Sequence, residues 1–259
     1  MDTHKTAAVE PQILHDTDEA PLLRERVLGT SIAPVDDLVE GFRSSKVTLL
    51  DSDNSYASTL LHMLCVRTIS QFDEEVVWVD GGNEVNPYAI SSLCKRLLLD
   101  KKDILSRVSV SRAFTAYQLV TLIDEKLEEQ VRECSPSMII VSSIAELFLD
   151  KDMKWMESHQ LLRRCVDDIS RITRDCETIT VISNATYHHS RPSPGLTALL
   201  YEGSDLALQI RTRRNGLLLR VPNKDREMTF LPVPWNQATM DDFRGDSDGK
   251  DGAYIPFGP

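Results

Sequence analysis

Six cations crowd one stretch near the end of this 259-residue chain: Arg211, Arg213, Arg214, Arg220, Lys224 and Arg226 stand against only Asp205 and Asp225 between residues 205 and 226. Guanidinium groups at that density hold phosphate oxygens through charge-assisted bonds, so the stretch is a candidate DNA contact with salt-sensitive affinity. It suits a solvated strand face, or a seat for an acidic partner, equally well. Residues 149–155 bring Lys151 and Lys154 beside Trp155, two ammonium groups and an indole that could neutralise phosphate and stack a base. The alternative is a surface loop with Trp155 tucked against the core. Residues 186–195 carry His188, His189 and Arg191, which suit single-strand contact or a plain loop; no Cys, Asp or Glu stands at a metal-ligand spacing from the histidine pair. Ser142 and Ser143 raise nucleophilic chemistry but lack the G-x-S-x-G elbow and a recognisable His and acid context. The five cysteines are odd in number and scattered through apolar-periodic segments, as reduced core residues would be.

The elements that must carry these residues follow from apolar periodicity. Short β-branched runs at 46–50, 76–79, 108–111, 138–141 and 178–183 alternate with helical patterns at 60–71, 87–99, 117–134 and 158–174. Continuous apolar strands between helices predict an α/β fold with a mainly parallel central sheet, covered on both faces and joined by right-handed crossovers. Residues 184–204 read as a polar, proline-bearing connection. Three strand-like runs separated by turns follow, and Asn215-Gly216 favours a hairpin because both positions accept positive φ. The sheet is expected to end in an antiparallel meander.

Bulk properties narrow the function classes. Hydrophobic content of 41% with 27% charged residues fits one soluble core. No apolar run reaches membrane-spanning length and no signal peptide is visible, so the expected location is cytoplasmic, at the nucleoid if DNA is bound. A net charge of −11 argues against a surface wholly attracted to nucleic acid, although a sum can conceal a local basic face. Acids outnumber bases five to two in residues 1–24 and again in residues 240–259. These ends lack periodicity, so disordered acidic tails are expected at 1–24 and 239–259 around a core domain at 25–238.

The first strand run leads through Asp51-Ser-Asp-Asn-Ser-Tyr-Ala-Ser58 into a helix, the place where a nucleotide-binding protein carries G-x-x-x-x-G-K-[ST]. There, glycines let backbone N–H groups close around phosphate and a lysine reaches the β and γ phosphates. In that register Asp51 and Tyr56 occupy the glycine positions, Ala57 the lysine position, and only Ser58 is in keeping.

Several segments together resemble the ATPase core of the RecA/RadA recombinase superfamily. Ser109-Val-Ser-Arg-Ala-Phe-Thr-Ala-Tyr-Gln-Leu119 is similar to the archaeal and eukaryotic recombinase strand ending in Ala-Arg-Ala-Phe/Tyr before a helix. Val77-Trp-Val-Asp80 with Pro87 resembles the strand ending in Asp-Thr-Glu-Gly, Ile139-Ile-Val-Ser-Ser-Ile-Ala-Glu-Leu-Phe148 the Walker B stretch, and Val181-Ile-Ser-Asn-Ala185 the Thr-Asn-Gln strand. The resemblance implies a RecA-like P-loop NTPase core over roughly residues 28–233. It also aligns Ser142 with the magnesium-holding aspartate and Gly82 with the glutamate that polarises water, while Glu84 stands two residues on. Phosphoryl transfer depends on positioned charge, so the implied function is a non-catalytic, pseudo-ATPase paralogue without ATP or Mg²⁺ as cofactor. Its implied role is accessory to homologous recombination and DNA repair, with a recombinase or another paralogue as partner, single-stranded DNA as a further ligand, and a hetero- or homo-oligomeric state. The alternative is a KaiC-like signalling or scaffold protein that uses the same core for protein binding without DNA. The end Ala253-Tyr-Ile-Pro-Phe-Gly-Pro259 resembles the partner-binding tails of bacterial single-strand DNA-binding proteins, though Phe257 is not terminal.

Overall fold

The computed structural model describes residues 25–185 and 193–232. Buried apolar strands supply its centre. In chain order these are β3 (Lys46–Ser52), β4 (Val76–Asp80), β5 (Val108–Arg112), β6 (Met138–Ser142), β7 (Ile179–Ala185), β8 (Leu206–Arg213), β9 (Gly216–Val221) and β10 (Arg226–Phe230), after a small antiparallel pair, β1 (Val27–Leu28) and β2 (Phe42–Arg43). The large sheet has the order β10-β9-β8-β3-β7-β6-β4-β5.

Six of its strands, β3 to β8, run parallel; β9 and β10 return antiparallel. The RecA-like α/β architecture expected from the sequence is present, with one more parallel strand than expected. The segment read as a plain connection contains α8 (Pro194–Glu202), opened by a proline in its first turn, and this helix returns the chain so that β8 lies parallel to β3, Thr48 opposite Leu206. The hairpin signal at Asn215-Gly216 is realised one residue early. Only Gly216 takes positive φ, 125°, and it begins β9; a Cβ there would lie 2.5 Å from the Phe230 carbonyl oxygen, so close strand approach is what requires glycine.

Helices cover both faces. On one lie α1 (Ala33–Val39), α2 (Tyr56–Phe72), α3 (Pro87–Arg96) and α4 (Lys101–Ser106), packed with Leu50, Trp78 and Ile140. On the other lie α5 (Ala116–Thr121), a π-helical turn (Leu122–Leu127), α6 (Glu128–Cys134), α7 (Trp155–Asp175) and α8, packed with Val47, Leu49, Val77 and Val79. Strand alternation sorts these two sets. Side-chain caps fix several helix starts: Asn86 accepts from the N–H groups of Tyr88 and Ala89, Asp100 from Lys102, and Thr115 from Gln118. The Asp100 cap starts α4, which the periodicity did not reveal.

Among the described residues no helix is long and apolar enough to cross a membrane. The expected tails at 1–24 and 239–259 lie outside the described residues, as do His188, His189 and Arg191.

Candidate functional site

Three backbone donors between β3 and α2 are engaged within the protein. Asp53 N–H donates to the Ile210 carbonyl at 3.2 Å, Asn54 N–H to Ser52 Oγ at 3.2 Å, and Tyr56 N–H to Asn54 Oδ1 at 2.9 Å. None of residues 51–58 adopts positive φ, so the chain does not curl into a cradle of converging N–H groups. The Asp53 carboxylate sits beside the helix start, accepting from Thr212 N–H at 2.8 Å and Thr212 Oγ1 at 3.0 Å. Helix α2 begins at Tyr56, four residues before the apolar pattern does, and this brings Ala57 and Ser58 into its first turn. Tyr56 packs edge-on against Phe230 of β10 with ring centroids 5.8 Å apart, and Ala57 is 1% exposed within the core.

Asp51 points away from that helix. It shares strand parity with Val47 and Leu49 and therefore faces the α7–α8 layer, where it is 2% exposed. Its carboxylate pairs with the Arg211 guanidinium, accepts from Tyr201 Oη at 2.7 Å, and accepts from Asn184 Nδ2 at 3.1 Å. Arg211 also donates to the Asp51 carbonyl at 2.6 Å, and Gln209 Nε2 donates to Tyr201 Oη at 2.7 Å. Burial raises the Tyr201 pKa, and the hydrogen bond to Asp51 raises it further. The residue that sequence register assigned to a missing glycine is thus the centre of a separate polar cluster.

A second buried aspartate organises the neighbouring strand ends. Asp80 closes β4 and is fully buried; it accepts from Gly82, Glu84 and Val85 N–H groups at 3.3, 2.9 and 3.1 Å, and from Ser142 Oγ at 2.9 Å. Arg112 of β5 completes the set with Nη2 at 3.0 Å. Ser142 in turn accepts from Trp78 Nε1 at 2.9 Å. Gly82 lies against Ser143, where a Cβ would come within 2.5 Å of the serine Cβ, and Ser143 Oγ donates to Glu84 Oε1 at 2.5 Å. His62 of α2 joins this loop to the helix. Asn86 N–H donates to its Nε2 at 3.0 Å, which leaves Nδ1 protonated to donate to the Ser58 carbonyl at 2.7 Å. Burial lowers the His62 pKa, in keeping with that neutral tautomer.

A family model described as Rad51 matches residues 26–194. The chain belongs to the Rad51 family. Membership confirms the resemblance read from the recombinase-like segments and points to recombination and DNA repair as the setting of its function.

Within this Rad51-family core the sequence-derived DNA candidates separate. Arg211 is turned inward to Asp51, a guanidinium held by a buried carboxylate. Lys224 and Arg226 pair with Glu40 at 2.7 and 2.6 Å, and Arg220 approaches Asp225 at 3.8 Å and Glu227 at 3.9 Å. Arg213 and Arg214, at the β8–β9 turn, remain exposed and form no ion pair among the described residues. Lys151 and Lys154 are exposed ahead of α7, and Trp155 is 57% exposed, its ring tilted 35° against His159 at 5.1 Å with its edge near Gly195. That indole therefore bridges the two segments singled out for nucleic-acid chemistry. Among the described residues no group of three or more His, Cys, Asp or Glu side chains is placed to hold a metal ion. The five cysteines are free thiols; burial pushes Cys134 up to about 11 and Cys165 up to about 12, away from nucleophilic thiolates.

Sequence reasoning missed Tyr201, Asn184, Arg112 and His62. Asn184 and Arg112 lie in segments read as family strands for other reasons, whereas Tyr201 and His62 gave no local signal.

Proposed function

We propose that this chain is a non-catalytic Rad51-family paralogue, an accessory factor in homologous recombination or DNA repair that binds a catalytic recombinase. The observation that carries the non-catalytic part is Ala57, an uncharged side chain buried at the position aligned with the lysine, while the Arg211 guanidinium is held by Asp51. The surrounding residues do not fit a nucleoside triphosphate with its magnesium ion. The N–H groups of Asp53, Asn54 and Tyr56 are engaged within the protein, the Asp53 carboxylate would repel phosphate, and Ser142 carries no charge for a hard dication.

Partner binding is supported by the β5 edge of the sheet. That strand has a neighbour on one side only among the described residues, and Val110, Phe114 and Tyr117 are exposed beside it, as are Trp155 and Met156 on the first turn of α7. An open strand edge with exposed aromatic side chains is a surface on which another protein docks. Single-stranded DNA would be held by Arg213, Arg214, Lys151 and Lys154, with Trp155 stacking a base. The protein would act in the cytoplasm, at the nucleoid when DNA is bound.

Purified protein should hydrolyse no ATP above background, with or without single-stranded DNA; DNA-stimulated hydrolysis lost on Asp51 or Ser58 substitution would overturn the reading. A pull-down from native lysate, with and without nuclease, should recover a catalytic recombinase in both cases. One observation favours the second reading, a KaiC-like scaffold that never meets DNA: four of the six clustered cations are paired to the protein's own carboxylates. Charge reversal of Arg213 and Arg214 separates the two. A flattened salt dependence of DNA retention supports the repair role, and no retention even at low salt supports the scaffold.

A further inference from the structure

We infer that the pocket around the Asp51 carboxylate is a built oxyanion site whose resident ligand is the protein's own side chain, and that it takes up a free small carboxylate ion once that side chain is removed. Donors reach this point from three separate elements: Asn184 from β7, Tyr201 from α8, and Arg211 from β8. All three sit on regular secondary structure. The phenol is pre-aimed as well. Gln209 Nε2 donates to Tyr201 Oη, which leaves the hydroxyl proton to point at Asp51 Oδ2.

Charge carries the rest of the argument. Without Asp51 the Arg211 guanidinium would face a partly buried cavity with no counter-ion, lined by a hydroxyl and an amide N–H aimed inward. Those features select a planar, singly charged oxyanion of about carboxylate size, one oxygen of which would meet Asn184 and the other Tyr201 and Arg211. The site is distinct from the phosphate position of the fold, because Leu50 and Asp51 point to opposite faces of β3 and only Leu50 packs in the cluster that contains α2. It also ties the end of β7 to the last turn of α8 through Asn184 and Tyr201.

Chemical rescue tests this on the full-length chain. Asp51→Ala should melt on the order of 10 °C below wild type. Formate, the carboxylate that the substitution removes, should raise that melting temperature in a saturable way while equal ionic strength of chloride does not, and wild type should not respond. Adding Arg211→Ala to Asp51→Ala should abolish the rise. An equal rise in wild type and variant, a rise that survives loss of Arg211, or no rise in Asp51→Ala overturns the inference. Where Asp51→Ala is recovered only unfolded, refolding yield in formate against chloride gives the same reading: formate-dependent recovery supports the site, and equal yields, including none in either salt, overturn it. Failure here leaves the proposed repair role standing, since that role is judged by ATPase and pull-down measurements.

Discussion

Two buried aspartates at the carboxyl ends of parallel strands are stabilised in opposite ways. Asp80 is held largely by its own neighbourhood, three N–H groups within five residues, with Ser142 and Arg112 closing the shell. Asp51 takes its side-chain bonds from partners 133 to 160 residues downstream. The first arrangement sets the course of one loop. The second fastens distant parts of the chain to the central strand. Loss of a carboxylate should therefore read out locally at Asp80 and across the sheet at Asp51.

The largest expected effect is at Asp80. Asp80→Ala leaves the buried Ser142 hydroxyl and three N–H groups without their acceptor and releases the exposed Arg112 guanidinium, and should destabilise by about 4 kcal/mol in urea unfolding. Hydrogen exchange should then rise mainly in residues 81–86 and β5. A loss smaller than that of Asp51→Asn would break the comparison.

Ser142→Asp, which places an acid at the position that the resemblance aligns with the magnesium-holding aspartate, should come next. It removes a donor 2.9 Å from Asp80 and sets a second carboxylate there, so about 3 kcal/mol should be lost at neutral pH, with partial recovery as acid protonates the pair. Under the proposed non-catalytic role, ATP hydrolysis should be absent from this variant as well, because Ala57 remains at the position aligned with the lysine.

Asp51→Asn keeps the side-chain volume and removes the charge, for an expected loss of about 2 kcal/mol. A double-mutant cycle with Arg211→Met should give coupling of similar size, and exchange should rise in α8 and β8 rather than in the loop after β3.

The smallest effect is acid-dependent and tests the join between the two regions. Burial lowers the His62 pKa below its ordinary value of 6.5, so the unfolded chain takes up this proton more readily than the folded one. Stability should be unaffected by His62 above pH 6.5 and should decline as pH falls below it, levelling once the folded pKa is passed. His62→Gln should flatten that slope by about 1 kcal/mol in unfolding curves taken across the window. An unchanged slope would mean that protonated His62 keeps its place between Ser58 and Asn86.

Local chemistry decided what could be read from the sequence. Runs such as Met138–Ser142 declare a buried parallel strand because their apolar residues are consecutive, and family segments around Arg112 placed the fold. Helix α8 was hidden by the Ser-Arg-Pro-Ser-Pro-Gly composition that runs into its first two residues. The cluster around Asp51 was not legible, since strand parity alone cannot say which of six clustered cations folds back onto β3. Counting charge along residues 205–226 gave a basic patch; pairing in space neutralises most of it, because Glu40 lies some 185 residues away in sequence yet meets both Lys224 and Arg226.

Strand β3 lies between β7 and β8, with Lys46 opposite Ile179 and Thr48 opposite Leu206. During synthesis it leaves the ribosome long before either neighbour exists. At about 5–20 residues per second the delay is on the order of ten seconds, through which an apolar segment waits with both flanks bare. This chain should consequently lean on chaperones at its birth, and nonsense truncations ahead of β8 should be cleared by proteolysis rather than accumulate as half-built domains.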